Sequence, residues 1–182
     1  MPVDPAARIA LLDLARESVR RRLGGESPPI PEGVLQDMAE PRSAFVTLRA
    51  RGSGTLRGCR GEVPARRPLP ECVRRVAVSA ALDDPRFTPV TLEELPGLVF
   101  EISALEPMRE ARPEDVRVGV HGLLLSSPRG TGLLLPQVPI EQGWDRSEFL
   151  EGACSKAGLP LSSWLDPDVT LSVFEAEVWS EE

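Results

Sequence analysis

Apolar residues recur at helical spacing in three segments, residues 4–23, 69–82 and 147–157. A glycine pair follows the first segment and Gly158 follows the third, where glycine commonly ends a helix. Two apolar stripes mark the faces that we expect to be buried: Ile9, Leu12, Val19 and Leu23 in the first segment, and Leu69, Cys72, Val73, Val76, Ala77 and Ala80 in the second. The pattern predicts three amphipathic helices, with residues 27–31 as a proline-rich connector after the first.

Short apolar runs predict β-strands in the rest of the chain. The predicted strands are residues 44–48, 55–63, 98–105, 116–125, 132–135 and 169–179. Turn signals at residues 51–54 and 128–130 join consecutive strands, and Thr91 with Glu94 has the spacing of a capping box. Strands joined by short turns and interspersed with helices indicate an α+β fold, with a mostly antiparallel sheet flanked by helices.

The length suits one domain over residues 1–182, with room for two lobes whose boundary the sequence does not resolve. An apolar fraction of 41% is enough for a hydrophobic core without staples of metal or disulfide. The first residues show no secretory signal, and no run approaches the roughly 18 apolar residues of a membrane span. We therefore expect a cytoplasmic protein with no membrane contact.

The cysteine and histidine content excludes several kinds of site. The three cysteines, Cys59, Cys72 and Cys154, are widely spaced and odd in number, which argues against a disulfide framework and for a reducing compartment. His121 is the single histidine, and no zinc-type ligand spacing is present. We expect no metal and no cofactor, and we expect Cys72 and Cys154 to lie in the core.

Charge is distributed unevenly along the chain. The net charge is −7, yet residues 42–86 hold ten arginines and only four acids. This segment predicts either a local basic surface for an anionic ligand or ordinary solvated charge. The acidic remainder, together with five Phe, three Trp and no Tyr, disfavours nucleic-acid binding.

Cys59, framed by glycines in the stretch LRGCRG at residues 56–61, is the leading candidate for chemistry. Strand alternation predicts Arg57 and Cys59 on one face, with Cα atoms about 6.5–7 Å apart. A guanidinium at that distance would lower the pKa of the thiol. Gly58 and Gly61 would leave backbone amides open to a substrate oxygen. The alternative is a small buried cysteine in a bulged strand.

Further candidates lie in the second half of the chain. As the only histidine, His121 is a candidate general base for the thiol, and the alternative is a hydrogen-bonded or exposed turn histidine. Trp144 is a candidate wall of a binding pocket, with Gln137 and Glu141 as polar contacts. The alternative for Trp144 is packing against the base of the helix that follows it.

Seven stretches carry a family resemblance and run in order over nearly the whole chain. They are LRGCRG at 56–61, DPRF at 84–87 with TLEEL at 91–95, GVHGL at 119–123, GLLLPQV at 132–138, GWD at 143–145 and CSKAGL at 154–159. In them the chain resembles the AMMECR domain, whose bacterial and archaeal members are called AmmeMemoRadiSam system protein A. Arg86, in the second stretch, joins the candidate binding residues.

The resemblance implies an α+β fold with a larger and a smaller lobe, and a cleft that contains the Cys59 motif. It also implies partners, because such proteins are often encoded beside, or fused to, a MEMO-like protein and a radical-SAM enzyme. Two positions depart from the family pattern. Arg60 stands where the family usually has Ile, on the strand face opposite Cys59. His121 stands where the family also admits Asp, so a Cys–His dyad is not a general mechanism.

Three functions follow as hypotheses. The first is an enzyme, or an enzyme component of the MEMO-like and radical-SAM pathway, that uses Cys59 with Arg57 on an anionic small molecule or nucleotide. The second is a non-catalytic binding or adaptor module for a partner enzyme. The third, nucleic-acid binding through the arginine-rich segment, is the least favoured.

Overall fold

The computed structural model describes residues 2–26, 33 and 38–182, so the predicted connector at 27–31 lies outside the described residues. The chain divides into two compact units. Unit 1 contains the residues up to Leu105 together with Glu177–Glu182, and unit 2 is Glu106–Ala176. Unit 2 is thus one continuous segment inserted into unit 1. No helix of the described part is long and apolar enough to cross a membrane.

Four α-helices and eight β-strands form within the described residues. The helices are α1 (Pro5–Arg22), α2 (Leu69–Leu82), α3 (Val138–Gln142) and α4 (Arg146–Lys156). The strands are β1 (Ala44–Ala50), β2 (Leu56–Glu62), β3 (Leu98–Leu105), β4 (Arg109–Glu110), β5 (Gly122–Ser127), β6 (Gly130–Leu134), β7 (Thr170–Phe174) and β8 (Ala176–Ser180). The predicted α+β class, mostly antiparallel sheet with helices, is confirmed.

Unit 1 is a four-stranded sheet in the order β2-β1-β3-β8, with α1 and α2 packed on one face. β1 pairs antiparallel with both β2 and β3. Alternate residues of β1, Ala44, Val46 and Leu48, are fully buried in one core with the apolar faces of the two helices. The intervening residues of β1 therefore lie on the opposite face, together with their cross-strand partners in β2 and β3.

Unit 2 is a second four-stranded sheet, in the order β4-β7-β5-β6, with α4 packed on it. β5 and β6 form a tight hairpin that closes where Ser127 pairs with Gly130. Gly132 lets α4 approach the sheet, because a Cβ at this position would lie 2.3 Å from the carbonyl oxygen of Ala153. Asp145 begins α4 with the capping box that its sequence favours.

The predicted helices are confirmed, but the stripe predicted for α1 is partly wrong. Leu12 and Val19 are buried, whereas Ile9 is 64% exposed. The buried face is centred instead on small residues and leucines: Ala7, Ala10, Leu11, Leu14 and Ala15. Alanine carries little hydrophobic weight in a pattern, yet it allows α1 to pack closely against the rest of the core.

Two predicted strands are wrong in extent. Residues 116–121 contain a turn at 118–120 rather than the first half of a strand, and β5 begins at Gly122. Residues 169–179 are two strands, β7 and β8, which pair in different sheets. An alternating pattern identifies extended chain, but the sheet that each half joins is decided by distant partner strands.

Candidate functional site

Cys59 lies in β2, directly opposite Thr47 of β1. The pairing with β1 is interrupted between Gly58 and Leu56, which leaves Arg57 without an opposite residue. Arg57 therefore forms a β-bulge, and a bulge re-aims the side chain that it carries. The regular alternation from which a common face for Arg57 and Cys59 was predicted is therefore interrupted at Arg57.

The Arg57 guanidinium is bound within unit 1. Its Nε and Nη2 each donate to the Glu94 carboxylate at 3.2 Å, and its Nη1 donates to the carbonyl oxygen of Thr88 at 2.9 Å. The predicted capping box fixes Glu94 in turn, because Thr91 and Glu94 exchange hydrogen bonds between side chain and backbone. The role of Arg57 as a binding residue stays a prediction. In this position Arg57 links β2 to the loop before β3.

The pKa of the Cys59 thiol is raised, which is the reverse of the sequence-based expectation. The main cause is desolvation of the half-buried side chain, which disfavours the charged thiolate. A hydrogen bond from Thr47 Oγ1 to Sγ, at 3.3 Å, and the positive charge of Arg86 both lower this pKa but do not offset burial. Asp84 and Glu101 add negative charge that raises it further. The thiol is therefore protonated at neutral pH.

Cys72 and Cys154 lie in the two cores, as predicted, with 1% and 0% of their surface exposed. Burial raises the pKa of Cys72 to about 11 and also raises the pKa of Cys154. Cys59 is thus the most accessible of the three thiols.

Asp84 is the residue that organises this site, and the sequence reasoning gave it no role. Its side chain is buried, and its Oδ2 accepts the backbone N–H of Cys59 at 2.9 Å. The Arg86 guanidinium donates to both oxygens of the same carboxylate, at 2.9 and 2.7 Å. These bonds hold the pKa of Asp84 well below its usual range. The sequence signal that could have identified Asp84 is its position in the DPRF stretch, two residues before Arg86.

Arg86 is the candidate binding residue nearest to solvent in this cluster. Its side chain is 51% exposed, and the central carbon of its guanidinium lies 5.4 Å from the centroid of the Phe87 ring. Asp84 raises the pKa of Arg86 through the paired hydrogen bonds. The positive charge of Arg86 also acts on the Cys59 thiol.

The two glycines of the motif are explained by packing. A Cβ at Gly58 would lie 2.2 Å from the carbonyl oxygen of Ala80 in α2. A Cβ at Gly61 would lie 2.4 Å from the ring of Phe45, which is its cross-strand partner. Both positions are therefore filled by neighbouring protein atoms on the side where a Cβ would project, and this packing alone accounts for both glycines.

His121 belongs to unit 2, whereas Cys59 belongs to unit 1. The imidazole is 1% exposed, and its Nδ1 accepts the backbone N–H of Arg117 at 3.2 Å. Burial lowers the pKa of His121, and the positive charges of Arg117 and Arg109 lower it further. His121 is thus the hydrogen-bonded turn histidine of the alternative interpretation, and its catalytic role stays a prediction.

Gln137, Glu141 and Trp144 lie around the short helix α3, with Gln137 half-buried before it and Glu141 exposed on it. The Trp144 ring packs against α4, since a Cβ at Gly152 would lie 2.6 Å from the ring atom Cζ3. This is the packing alternative for Trp144. An open cavity of about 490 Å³ in unit 2 has a different lining: Pro113, Glu114, Asp145, Arg146, Ser147, Leu150 and Trp164.

Part of the arginine-rich segment is paired with carboxylates. Ion pairs join Arg42 to Glu177, Arg57 to Glu94, Arg67 to Glu62 and Glu71, and Arg86 to Asp84. These four arginines are therefore held in ion pairs, whereas Arg60, Arg66 and Arg74 of the same segment are exposed. Within the described residues, no group of three or more His, Cys, Asp or Glu side chains is arranged to hold a metal ion.

Comparisons with known proteins agree with the fold and with the motifs. The family model AMMECR1 matches residues 12–179. Protein PH0010 of Pyrococcus horikoshii is 42% identical over 183 residues, covering 94% of this chain and 88% of its own length. Protein NEQ441 of Nanoarchaeum equitans is 38% identical over 179 residues, covering 94% of this chain and 99% of its own.

A solved structure extends the comparison to three dimensions. The crystal structure of the uncharacterized protein PH0010 superposes with a TM-score of 0.86 at 41% sequence identity, covering 94% of this chain and 90% of that one. Family model, relatives and structure all match nearly the full length of this chain. The chain belongs to the AMMECR1 family.

Proposed function

We propose that this protein is a non-catalytic binding module that serves a partner enzyme in a modification pathway. The observation that carries this proposal is the environment of the Cys59 thiol, which is half-buried and hydrogen-bonded to Thr47, and burial raises its pKa. A nucleophilic cysteine needs a thiolate, and the thiolate is favoured by an adjacent base or cation. Here the backbone N–H of Cys59 is bound by Asp84 and the Arg57 guanidinium by Glu94.

The pathway and its partners rest on the family resemblance. MEMO-like and radical-SAM proteins are the proposed partners, and the proposed compartment is the cytoplasm, in keeping with three free cysteines. In this role the Asp84–Arg86 pair and the ion pair of Arg57 with Glu94 keep a rigid surface in place around β2. Rigid, preorganised surfaces lose little conformational entropy on binding.

The second candidate is an enzyme that uses Cys59 on an anionic small molecule or nucleotide. One observation favours it: Cys59 is the only half-buried thiol among the three, and the half-exposed Arg86 guanidinium supplies positive charge beside it. An anion bound at Arg86 would stand next to the sulfur. Deprotonation of the thiol would then have to be coupled to binding, because the resting pKa is raised.

The rate of cysteine alkylation as a function of pH distinguishes the two candidates. The native protein is treated with iodoacetamide between pH 6 and 10, and each cysteine is quantified by mass spectrometry. We expect Cys59 to react slowly at neutral pH, with an apparent pKa above the roughly 8.5 of a free thiol. Cys72 and Cys154 are expected to stay protected, because both are buried. The denatured protein is the control, in which all three should react alike.

The opposite result would favour the enzyme. If Cys59 reacts with an apparent pKa well below 8.5 while the other two stay protected, the binding-module proposal fails. A second readout is complex formation with a MEMO-like or radical-SAM partner encoded beside the gene. The Cys59→Ser variant should bind such a partner as the wild type does, and loss of pathway activity in a folded Cys59→Ser variant would again support the enzyme.

A further inference from the structure

Three basic side chains of unit 2 converge at the turn before β5. The chain turns tightly there, with the His121 N–H bonded to the Arg117 carbonyl oxygen at 2.9 Å. Gly119 makes the turn possible, because its φ of +79° lies in the left-handed region that other residues rarely adopt. Arg109 arrives separately, on β4, which is held by antiparallel pairing with β7.

The imidazole of His121 is fixed in orientation. Its Nδ1 accepts the backbone N–H of Arg117 at 3.2 Å, so in the neutral ring the proton resides on Nε2. Nε2 lies 3.5 Å from Nη2 of Arg109 and 3.5 Å from Nη2 of Arg117. The buried Nε2–H donor of His121 thus faces two guanidinium donors. These three groups include no acceptor for their hydrogen bonds.

The acids around the cluster make no direct contact with either arginine among the described residues. Among the described residues, Arg109 and Arg117 form no ion pair with a carboxylate. Asp115 acts on His121 electrostatically but is paired with Arg112. Glu175, which is exposed, also acts on His121 electrostatically. The cluster therefore carries two guanidinium charges that no carboxylate of the described residues contacts directly.

We propose that Arg109, Arg117 and His121 form a binding site for an oxyanion of the phosphate class. The site offers two guanidiniums and one imidazole N–H and presents only donors, so it suits a group that carries several acceptor oxygens and negative charge. A guanidinium can donate two parallel hydrogen bonds to two oxygens of one phosphate. The buried imidazole adds a donor whose orientation is fixed. Both Nη2 atoms lie 3.5 Å from Nε2, so the three nitrogen atoms are grouped closely enough for one anion to contact them.

This site is independent of the proposed binding role of unit 1 and of Cys59. It assigns to unit 2 a ligand class that a phosphorylated small molecule, or inorganic phosphate itself, would satisfy. The bound anion would remove the repulsion between the two guanidiniums and so stabilise the turn that carries His121.

The single histidine makes a direct test possible, because the ring protons of His121 give the only imidazole signals of the chain. Sodium phosphate is titrated into the wild-type protein at pH 7.5 and constant ionic strength, followed by proton NMR. We expect a saturable shift of the His121 resonances. Arg109→Gln and Arg117→Gln should each weaken phosphate binding about tenfold or more, since each removes a charge-assisted hydrogen bond.

The matched control is Arg112→Gln, which removes an exposed arginine of the same unit that is already paired with Glu114 and Asp115. This variant should bind phosphate as the wild type does. A further variant, His121→Asp, supplies an internal carboxylate to the two arginines. It should abolish the rise in melting temperature that phosphate gives to the wild type.

Two outcomes would overturn the site. One is a shift that is linear in phosphate and reproduced by sodium chloride, which indicates general ionic strength only. The other is unchanged phosphate affinity in the folded variants Arg109→Gln and Arg117→Gln. If His121→Asp does not fold, the NMR titrations of the two arginine variants still decide the question. Neither outcome bears on the alkylation of Cys59, so this proposal and the binding-module proposal fail separately.

Discussion

At the scale of single residues, the Cys59 motif shows how one pattern supports two opposite interpretations. Glycines beside a cysteine suggest open backbone amides, but Gly58 and Gly61 are instead occupied by the α2 backbone and by the ring of Phe45. Arg57 suggests a cation beside the thiol, but the bulge and Glu94 turn it away. Each of these residues is required for packing or for ion pairing within unit 1.

Gly58→Ala is expected to destabilise the protein by about 1–3 kcal/mol, the usual cost of overpacking a core. The new Cβ would lie 2.2 Å from a backbone oxygen of α2, which moves only if the helix shifts. Urea unfolding measures the free energy. The matched control is Gly97→Ala, where no atom lies within 4 Å of the added Cβ, and we expect a change within about 0.5 kcal/mol. Equal stability of the two variants would contradict the described contact of β2 with α2.

At the scale of elements, the loop after α2 is fastened to β2 by one buried carboxylate. Asp84 accepts from the Cys59 backbone, from the Arg86 backbone at 3.1 Å and from the Arg86 guanidinium. A helix, its following loop and an adjacent strand are thereby joined at one point. The side chain of Asp84 is only 3% exposed, so its loss leaves donors buried without acceptors.

Asp84→Asn is expected to reduce the free energy of unfolding by about 1–3 kcal/mol at neutral pH. The folded-state pKa of Asp84 is below its unfolded value, so its contribution is full above about pH 4 and is lost as the pH falls through the folded value. The stability difference between wild type and variant should therefore shrink on acidification. Denaturant unfolding between pH 2 and 7 measures it.

The exposed neighbour Asp83 provides the control for this experiment. Asp83→Asn should leave both the stability and its pH dependence nearly unchanged, because surface substitutions usually stay within about 0.5 kcal/mol. A stability difference for Asp84→Asn that does not vary with pH would show that the carboxylate charge is not what fastens the loop.

The same elements show what the sequence could and could not predict. The apolar stripe of α2 and the capping pair Thr91–Glu94 were predicted correctly, because helical spacing and caps are set by neighbours in sequence. Asp84 was missed because its partner, the N–H of Cys59, is distant in sequence and belongs to the backbone. The bulge at Arg57 was missed as well, since bulges depend on the register with β1.

At the scale of the whole molecule, unit 1 contains both ends of the described chain. The chain leaves unit 1 after β3 and returns in β8, after the whole of unit 2. Within unit 1, Glu177 of β8 accepts the Val3 N–H at 3.0 Å, Arg8 at 2.6 Å and Arg42 at 2.8 Å. The first and last described segments are thus joined by a carboxylate that is 17% exposed.

Glu177→Ala is therefore expected to lower the free energy of unfolding by about 2 kcal/mol or more, since it removes one acceptor from three donors. The pKa of Glu177 is lowered by Arg42, Val3 and Arg8 despite its burial, so this contribution is present above about pH 4.3 and is lost below it. Urea unfolding at pH 7 and pH 3 measures the difference. Glu93→Ala, at an exposed position of the same unit, is the control and should have little effect. If the free energy of unfolding of Glu177→Ala at pH 7 equals that of the wild type, the carboxylate does not contribute to stability. The attachment of β8 to unit 1 would then rest on its apolar contacts alone.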